Sequence, residues 1–316
     1  MQPYLIAVIA VLAVLVLLFL FALVGDRAAF GKRADKNPYL KYFTAEDFDL
    51  SAESVALSHG LKGYFYRGKT QNNKLVIFCH GMGPGHIAYT TEIAYFCNLG
   101  YTVLAVDNKG CNLSAGRNIG GMYSGVKTAV KAIDFAKKYS FEKVFLVGHS
   151  WGGYSALCAS KQRKVDGVIA ISAPTTPAKT IAGGASPYLT KPVSVILIPF
   201  WWIINLLKFG VYGNANSAKC AMKNSTPTFL IHGDKDEVVS PSRAAFYKAE
   251  GDNISKLSVK ERAHNPYNTV KAEKYLAELL RQLRLGETVF DEFDFAAATE
   301  EDEEVMNWIE DFLYNN

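Results

Sequence analysis

Cysteine is scarce: five residues in 316 (Cys79, Cys97, Cys111, Cys158, Cys220), an odd number with no C-x-x-C pair. That excludes a disulfide-stapled scaffold and a thiolate zinc site, and it fits a reducing compartment. Basic residues are missing from two places. None precedes the apolar run that opens the chain, and none lies between Gly286 and Asn316, where eleven of the 30 acidic residues fall. The rest of the chain sets 34 Lys and Arg against 19 acids, so the formal charge of +4 hides a basic body beside an acidic tail. Either the tail folds over a basic face or the body is drawn to anionic headgroups. A Lys/Arg cluster with interleaved aromatics is also absent, which argues against a nucleic-acid partner. No internal repeat appears.

Long apolar runs are present. Residues 3–24, PYLIAVIAVLAVLVLLFLFALV, contain no charge. At about 1.5 Å per residue such a helix crosses a ~30 Å hydrocarbon core. The run is too long for the apolar part of a cleaved signal peptide and no small-residue cleavage site follows it. The expectation is a single-pass transmembrane anchor over residues 1–25, followed by a polar linker over 26–52. Arg27, Lys32, Arg33, Lys36 and Lys41 lie just after the span. The positive-inside rule then puts the body on the cytoplasmic side.

Beyond the linker, short apolar runs alternate with helical patterns. Strands are expected at Glu53–Leu57, Leu61–Arg67, Lys74–Cys79, Tyr101–Val106, Val144–Val147, Val165–Ser172, Pro227–Ile231 and Lys256–Val259. Helices are expected up to Leu99, and over Met122–Tyr139, Pro241–Glu250 and Thr269–Leu285. This alternation predicts an α/β fold with a mostly parallel central sheet and helices on both faces.

The stretch Lys143–Gly153, KVFLVGHSWGG, joins a strand to a helix through Gly148-His149-Ser150-Trp151-Gly152. A serine in so sharp a turn needs neighbours without side chains, and its hydroxyl then stands clear at the tip. It also needs a base. His149 flanks Ser150 and points away from it; His80 and His232 each sit in a strand-end His-Gly; His59 lies in a hairpin turn and His86 opens a helix. His264 alone follows the other motifs, as the chain order serine, acid, histidine requires. Asp234, Asp236 and Glu237 offer three carboxylates to orient it. The Trp151 N–H is placed to stabilise an oxyanion, and Asp107, at a strand end, is expected to brace structure.

FCHGMG after a strand, GYTVLAVDNKG, VGHSWGG, FLIHGDKDEVV and a late AHN together resemble the α/β-hydrolase superfamily over residues 52–285. They look most like its membrane-anchored "α/β-hydrolase domain-containing" members and its serine aminopeptidase-like hydrolases. The resemblance implies an α/β-hydrolase fold over 53–285 with a lid insertion at about 174–225. It implies Asp236 as the acid, by the H-G-x-x-D-x-x-V pattern, with Asp234 a turn residue or brace. It implies the Met82 N–H as the second oxyanion donor and no metal or organic cofactor. The loop NKGCNLSAG departs from the family, which usually has Arg at the position of Lys109.

Within the insertion, Pro192–Gly213 is apolar enough to pass for a second span. A crossing there would put Ser150 and His264 on opposite sides of the bilayer, and Pro199 breaks the run. A partly helical lid is expected instead. Its Phe200, Trp201 and Trp202 are candidates to bind an apolar acyl chain, to lie at the membrane surface or simply to pack the lid. The acidic tail, 286–316, is expected to form a helix capped by Thr299, with Val305, Trp308, Ile309, Phe312 and Leu313 on one face. The expected activity is hydrolysis of esters or thioesters of apolar, lipid-like acyl groups through an acyl-enzyme. A peptidase on the same scaffold and a non-catalytic tethered binding module are the rivals.

Overall fold

β-Branched and aromatic runs of five to seven residues, too short for helices, build a single eight-stranded sheet. The computed structural model describes residues 2–37, 40–286 and 294–316. The strands are β1 (Ser51–Ala56), β2 (Lys62–Arg67), β3 (Lys74–Cys79), β4 (Thr102–Val106), β5 (Lys143–His149), β6 (Gly167–Ile171), β7 (Thr228–Gly233) and β8 (Ile254–Val259). Their order is β1-β2-β4-β3-β5-β6-β7-β8. β1–β2 and β2–β4 are antiparallel and every other pair is parallel. The α/β fold with a mostly parallel sheet is therefore as expected. Register pairs Cys79 with Gly148, His149 with Ile171 and Ile231 with Leu257. The carboxyl ends of the central strands thus lie level, and loops leaving them meet at one rim.

Both faces are covered, which is why β4, β6 and β7 are buried throughout. On one face pack α3 (Tyr123–Ala136) and α4 (Trp151–Ser160), joined by the lid and by the end of α1 (Pro3–Phe30). On the other lie α2 (Thr90–Asn98) and the tail helix α11 (Glu303–Asn315). Between them in sequence come the lid helices α5 (Pro177–Ala185), α6 (Lys191–Ile196), α7 (Ile198–Phe209) and α8 (Ser217–Met222), then α9 (Val270–Leu285) and α10 (Phe295–Ala298).

Helix α1 runs to Phe30, five residues past the expected end of the span. Its apolar side chains from Tyr4 to Leu17 are exposed, whereas Ala22, Asp26 and Phe30 are buried. The burial is against the lid. Trp201 Nε1 donates to the Ala22 carbonyl at 2.9 Å, and the Lys208 ammonium pairs with the Asp26 carboxylate. The linker is also held: the Arg33 guanidinium donates to the carbonyls of Asn112, Ser114 and Gly116.

The apolar stretch of the lid is not one helix. Pro192 and Pro199 open α6 and α7, as their missing N–H groups favour, and Leu197 forms the joint. Two expectations need correction. Residues 241–250 form turns, not a helix. Their backbone pairs instead with the base of the lid: the Thr175 N–H donates to the Arg243 carbonyl and the Ala245 N–H to that of Ala173. In the tail, Asp302 and not Thr299 caps α11, through the Val305 N–H at 3.2 Å. Val305, Met306, Ile309 and Leu313 face the sheet, and Trp308 is half exposed. Residues 287–293 of the tail lie outside the described residues.

Candidate functional site

Ser150 sits between the end of β5 and the first residue of α4, at φ 54° and ψ −117°. A side chain at positive φ carries strain, which persists only where the surroundings impose it. Here packing imposes it. A Cβ at Gly152 would lie 1.8 Å from the Cys79 carbonyl oxygen, and one at Gly148 would lie 2.4 Å from the Gly152 backbone. The Ser150 N–H donates to the Ile171 carbonyl at 2.8 Å, which holds the turn against β6. The spacing of the two glycines is thus a contact requirement between β3, β5 and α4.

His264 and Asp236 come together. The Nδ1 of His264 lies 2.9 Å from Asp236 Oδ2, and the other carboxylate oxygen accepts the Val239 N–H at 2.9 Å. Burial alone would raise the Asp236 pKa. The hydrogen bond and charge of His264, with the Val239 N–H, outweigh it and hold the carboxyl below its ordinary value. Asp236 therefore stays ionised and fixes the imidazole, whose Nε2 is taken up by none of the described residues. The His264 ring lies 4.8 Å, centroid to centroid, from that of His149, the residue before Ser150. Among the described residues no hydrogen bond joins the Ser150 hydroxyl to His264. In ligand-free sites such contacts commonly tighten only with substrate.

The other two carboxylates at this turn behave differently. Asp234 braces the exit from β8, accepting the Glu261 N–H at 2.8 Å, and Glu237 is exposed. His232 is fully buried with Asp236 Oδ2 3.7 Å away, and it stacks on Phe246.

Trp151 is the first residue of α4, so its N–H has no partner inside the helix. The Met82 N–H is likewise not taken up by any described backbone or side-chain group. The Met82 peptide is held from its other end. His80 Nδ1 donates to the Gly81 carbonyl at 2.7 Å, and His80 Nε2 accepts the Asn108 N–H at 2.9 Å. Asp107 accepts both the N–H and Nδ1–H of His86, which orders the helical turn leading into α2; it braces structure, as expected of a strand-end acid.

The lid aromatics separate. Trp201 is buried against α1, Phe200 is half-buried in the core and Trp202 is 48 % exposed. Two arrangements at the rim carry no local motif in the sequence: the tie of the lid to α1, and the specific contacts of the tail with the His264 loop. In the latter, Arg262 pairs with Asp302, and the Thr269 N–H and Asp302 N–H bond to the Glu300 and Tyr267 carbonyls. Among the described residues no cluster of three or more His, Cys, Asp or Glu is placed to hold a metal ion.

A family profile described as serine aminopeptidase, S33, matches residues 70–203. That span includes Met82, Ser150 and Trp151 and stops short of Asp236 and His264. Among curated proteins, the AB hydrolase superfamily protein YfhM of Bacillus subtilis is 25 % identical over 133 residues, 42 % of this chain and 43 % of its own length. Epoxide hydrolase B of Mycobacterium tuberculosis is 26 % identical over 120 residues, 37 % of this chain and 34 % of its own. The chain spans less than half the length of these curated relatives. Among solved structures, the Pyrococcus furiosus esterase Pf2001 superposes with a TM-score of 0.57 at 19 % identity, covering 81 % of this chain and 97 % of its own. An esterase/lipase from an uncultured bacterium gives 0.51 at 16 %, covering 78 % and 85 %.

Proposed function

The chain is a member of the α/β-hydrolase superfamily, and from that premise we propose that it is a membrane-anchored serine hydrolase of esters or thioesters with apolar acyl groups. The observation that carries this is the ionised Asp236 holding His264 against the ring of His149, the residue before a serine kept at a strained backbone angle. Ser150 Oγ attacks the substrate carbonyl carbon while His264 Nε2 takes its proton. Asp236 stabilises the imidazolium that results. The Met82 and Trp151 N–H groups receive the developing oxyanion. His264 then returns the proton to the leaving alcohol or thiol, and water, deprotonated by the same imidazole, releases the acid and frees Ser150.

Two features support a membrane setting. The exposed apolar residues of α1 span the length a bilayer core needs, and α7 is fastened to the last turns of that helix. A lid fastened to the anchor would hold the catalytic rim close to the bilayer, which favours apolar acyl chains. The basic residues after the span favour a cytoplasmic body, and a reporter fused to the C-terminus tests that side.

The S33 profile match motivates a second reading, hydrolysis of peptides from a free amino end. Purified protein assayed on acyl esters of increasing chain length and on aminoacyl arylamides separates the two. Faster turnover of longer acyl esters, absent in Ser150→Ala, supports the esterase. Preference for arylamides supports the peptidase. Acetyl esters cleaved as well as long ones contradict the apolar-acyl reading.

A further inference from the structure

We propose that His149, the residue directly before Ser150, is a positioning residue that ties the oxyanion loop to the loop carrying His264; the proposal rests on the serine-hydrolase reading above. Its side chain faces away from the hydroxyl of Ser150, yet both of its nitrogens are engaged. His149 Nε2 lies 2.9 Å from the backbone carbonyl of His264, and His149 Nδ1 lies 3.0 Å from the hydroxyl of Tyr89. That hydroxyl in turn receives the Gly81 N–H at 3.1 Å.

The direction of every bond in this chain is fixed by chemistry. A carbonyl oxygen can only accept, so Nε2 must carry the proton. Burial pushes the His149 pKa down, to about 3, so the ring is neutral at physiological pH. A neutral imidazole has one bare nitrogen, so Nδ1 accepts, and the Tyr89 hydroxyl must donate to it. The Gly81 N–H can only donate, and it meets the oxygen of that same hydroxyl. The order is Gly81 N–H to Tyr89, Tyr89 to His149, His149 to the His264 carbonyl. A side chain at Gly81 is excluded, since its Cβ would fall 2.3 Å from the Tyr89 oxygen.

At one end, the two peptides on either side of Gly81 are held, and the second carries the expected oxyanion donor. Tyr89 fixes the Gly81 N–H in the first, and His80 fixes the Gly81 carbonyl, which shares its plane with the Met82 N–H, in the second. At the other end, the His264 carbonyl accepts a second hydrogen bond, from Ser172 Oγ at 2.8 Å. The backbone of the base is thus pinned from β5 and from β6 at once. A buried imidazole used only as filler would need neither the Tyr89 hydroxyl nor a defined tautomer.

Two variants test this without touching Ser150, Asp236 or the imidazole of His264. Tyr89→Phe removes one hydroxyl and so both of its bonds. His149→Asn keeps an acceptor for Tyr89 but leaves the His264 carbonyl without its ring donor. The full chain in detergent is phosphonylated with a fluorophosphonate, and kcat and KM are measured on a short acyl ester. A misplacement of about 1 Å at the reacting groups costs on the order of 100-fold, so each variant should be phosphonylated about 10- to 100-fold more slowly per folded molecule. The loss should fall on kcat per folded molecule, with KM unchanged within about twofold. Phosphonylation at the wild-type rate in both variants overturns the proposal. No phosphonylation of the wild-type chain overturns the hydrolase reading instead. Imidazole 15N spectra read the chain independently of activity: His149 should be protonated at Nε2 and bare at Nδ1, and the opposite tautomer contradicts the assignment.

Discussion

Two His–Asp pairs occur in this molecule, each at the carboxyl end of a strand, and they differ chiefly in their surroundings. His264 and Asp236 are 2.9 Å apart; His86 and Asp107 are 2.7 Å apart. Both aspartates are buried, and in both the histidine partner outweighs burial to keep the carboxyl below its ordinary pKa. The difference lies at the far nitrogen. In His86 it meets the Tyr66 hydroxyl at 2.8 Å and the side chain is 2 % exposed. In His264 no described residue takes it up and the side chain is 20 % exposed, its ring against that of His149, which precedes the strained serine. A closed pair with every polar atom satisfied holds a loop in place. An open pair with one nitrogen in reserve can accept a proton.

Parallel substitutions can break this comparison. The largest effect is expected from His264→Ala, which should lower kcat on the order of 10^5-fold or more with little change in Tm. Asp236→Ala should follow, at roughly 10^4-fold in kcat. Asp107→Ala should do the reverse. It strips the His86 N–H, the His86 ring and the Asn112 amide of their acceptor, so unfolding by urea should show a loss of about 3–5 kcal/mol, with kcat per folded molecule nearly unchanged. If Asp107→Ala removed activity from a fully folded protein, the assignment of roles to the two pairs would be reversed.

Smaller effects should sharpen the contrast, because only the open pair depends on the tail. Asp302 caps α11 and pairs with Arg262, two residues before His264. Asp302→Ala should cost about 2 kcal/mol by chemical denaturation. The smallest effect concerns Glu301, bridged to Asn268 beyond the His264 loop. Burial, with the charge of Glu92, raises its pKa to about 9. The folded state therefore keeps a proton that the unfolded chain releases near the ordinary carboxyl value. Stability must then fall as pH rises from that value towards 9. Glu301→Gln should flatten the decline of Tm between pH 6 and 9; an unchanged slope would contradict the assignment.

Much of this site was legible in the sequence because its parts are local. The Gly148–Gly152 spacing reports contacts one turn away, and His264 is singled out by chain order alone. The His86–Asp107 pair was half visible, since a strand-end aspartate commonly braces structure. What could not be read are contacts between segments with no shared period. Residues 241–250 have helical composition, yet hydrogen bonds to Ala173 and Thr175 hold them as turns. Trp201 carries no mark that it bonds to Ala22, 179 residues away. The outward direction that keeps His149 from acting on Ser150 is the one that brings it to the carbonyl of His264.

The central claim is that Ser150 is a nucleophile activated by the open pair. Treating the intact protein with a fluorophosphonate, then locating the mass increment by peptide mapping, tests it directly. The increment should fall on Ser150, vanish in Ser150→Ala, and form far more slowly in His264→Ala while Asp107→Ala, if folded, keeps it. An increment on another residue, or none on a folded wild-type chain, would contradict it.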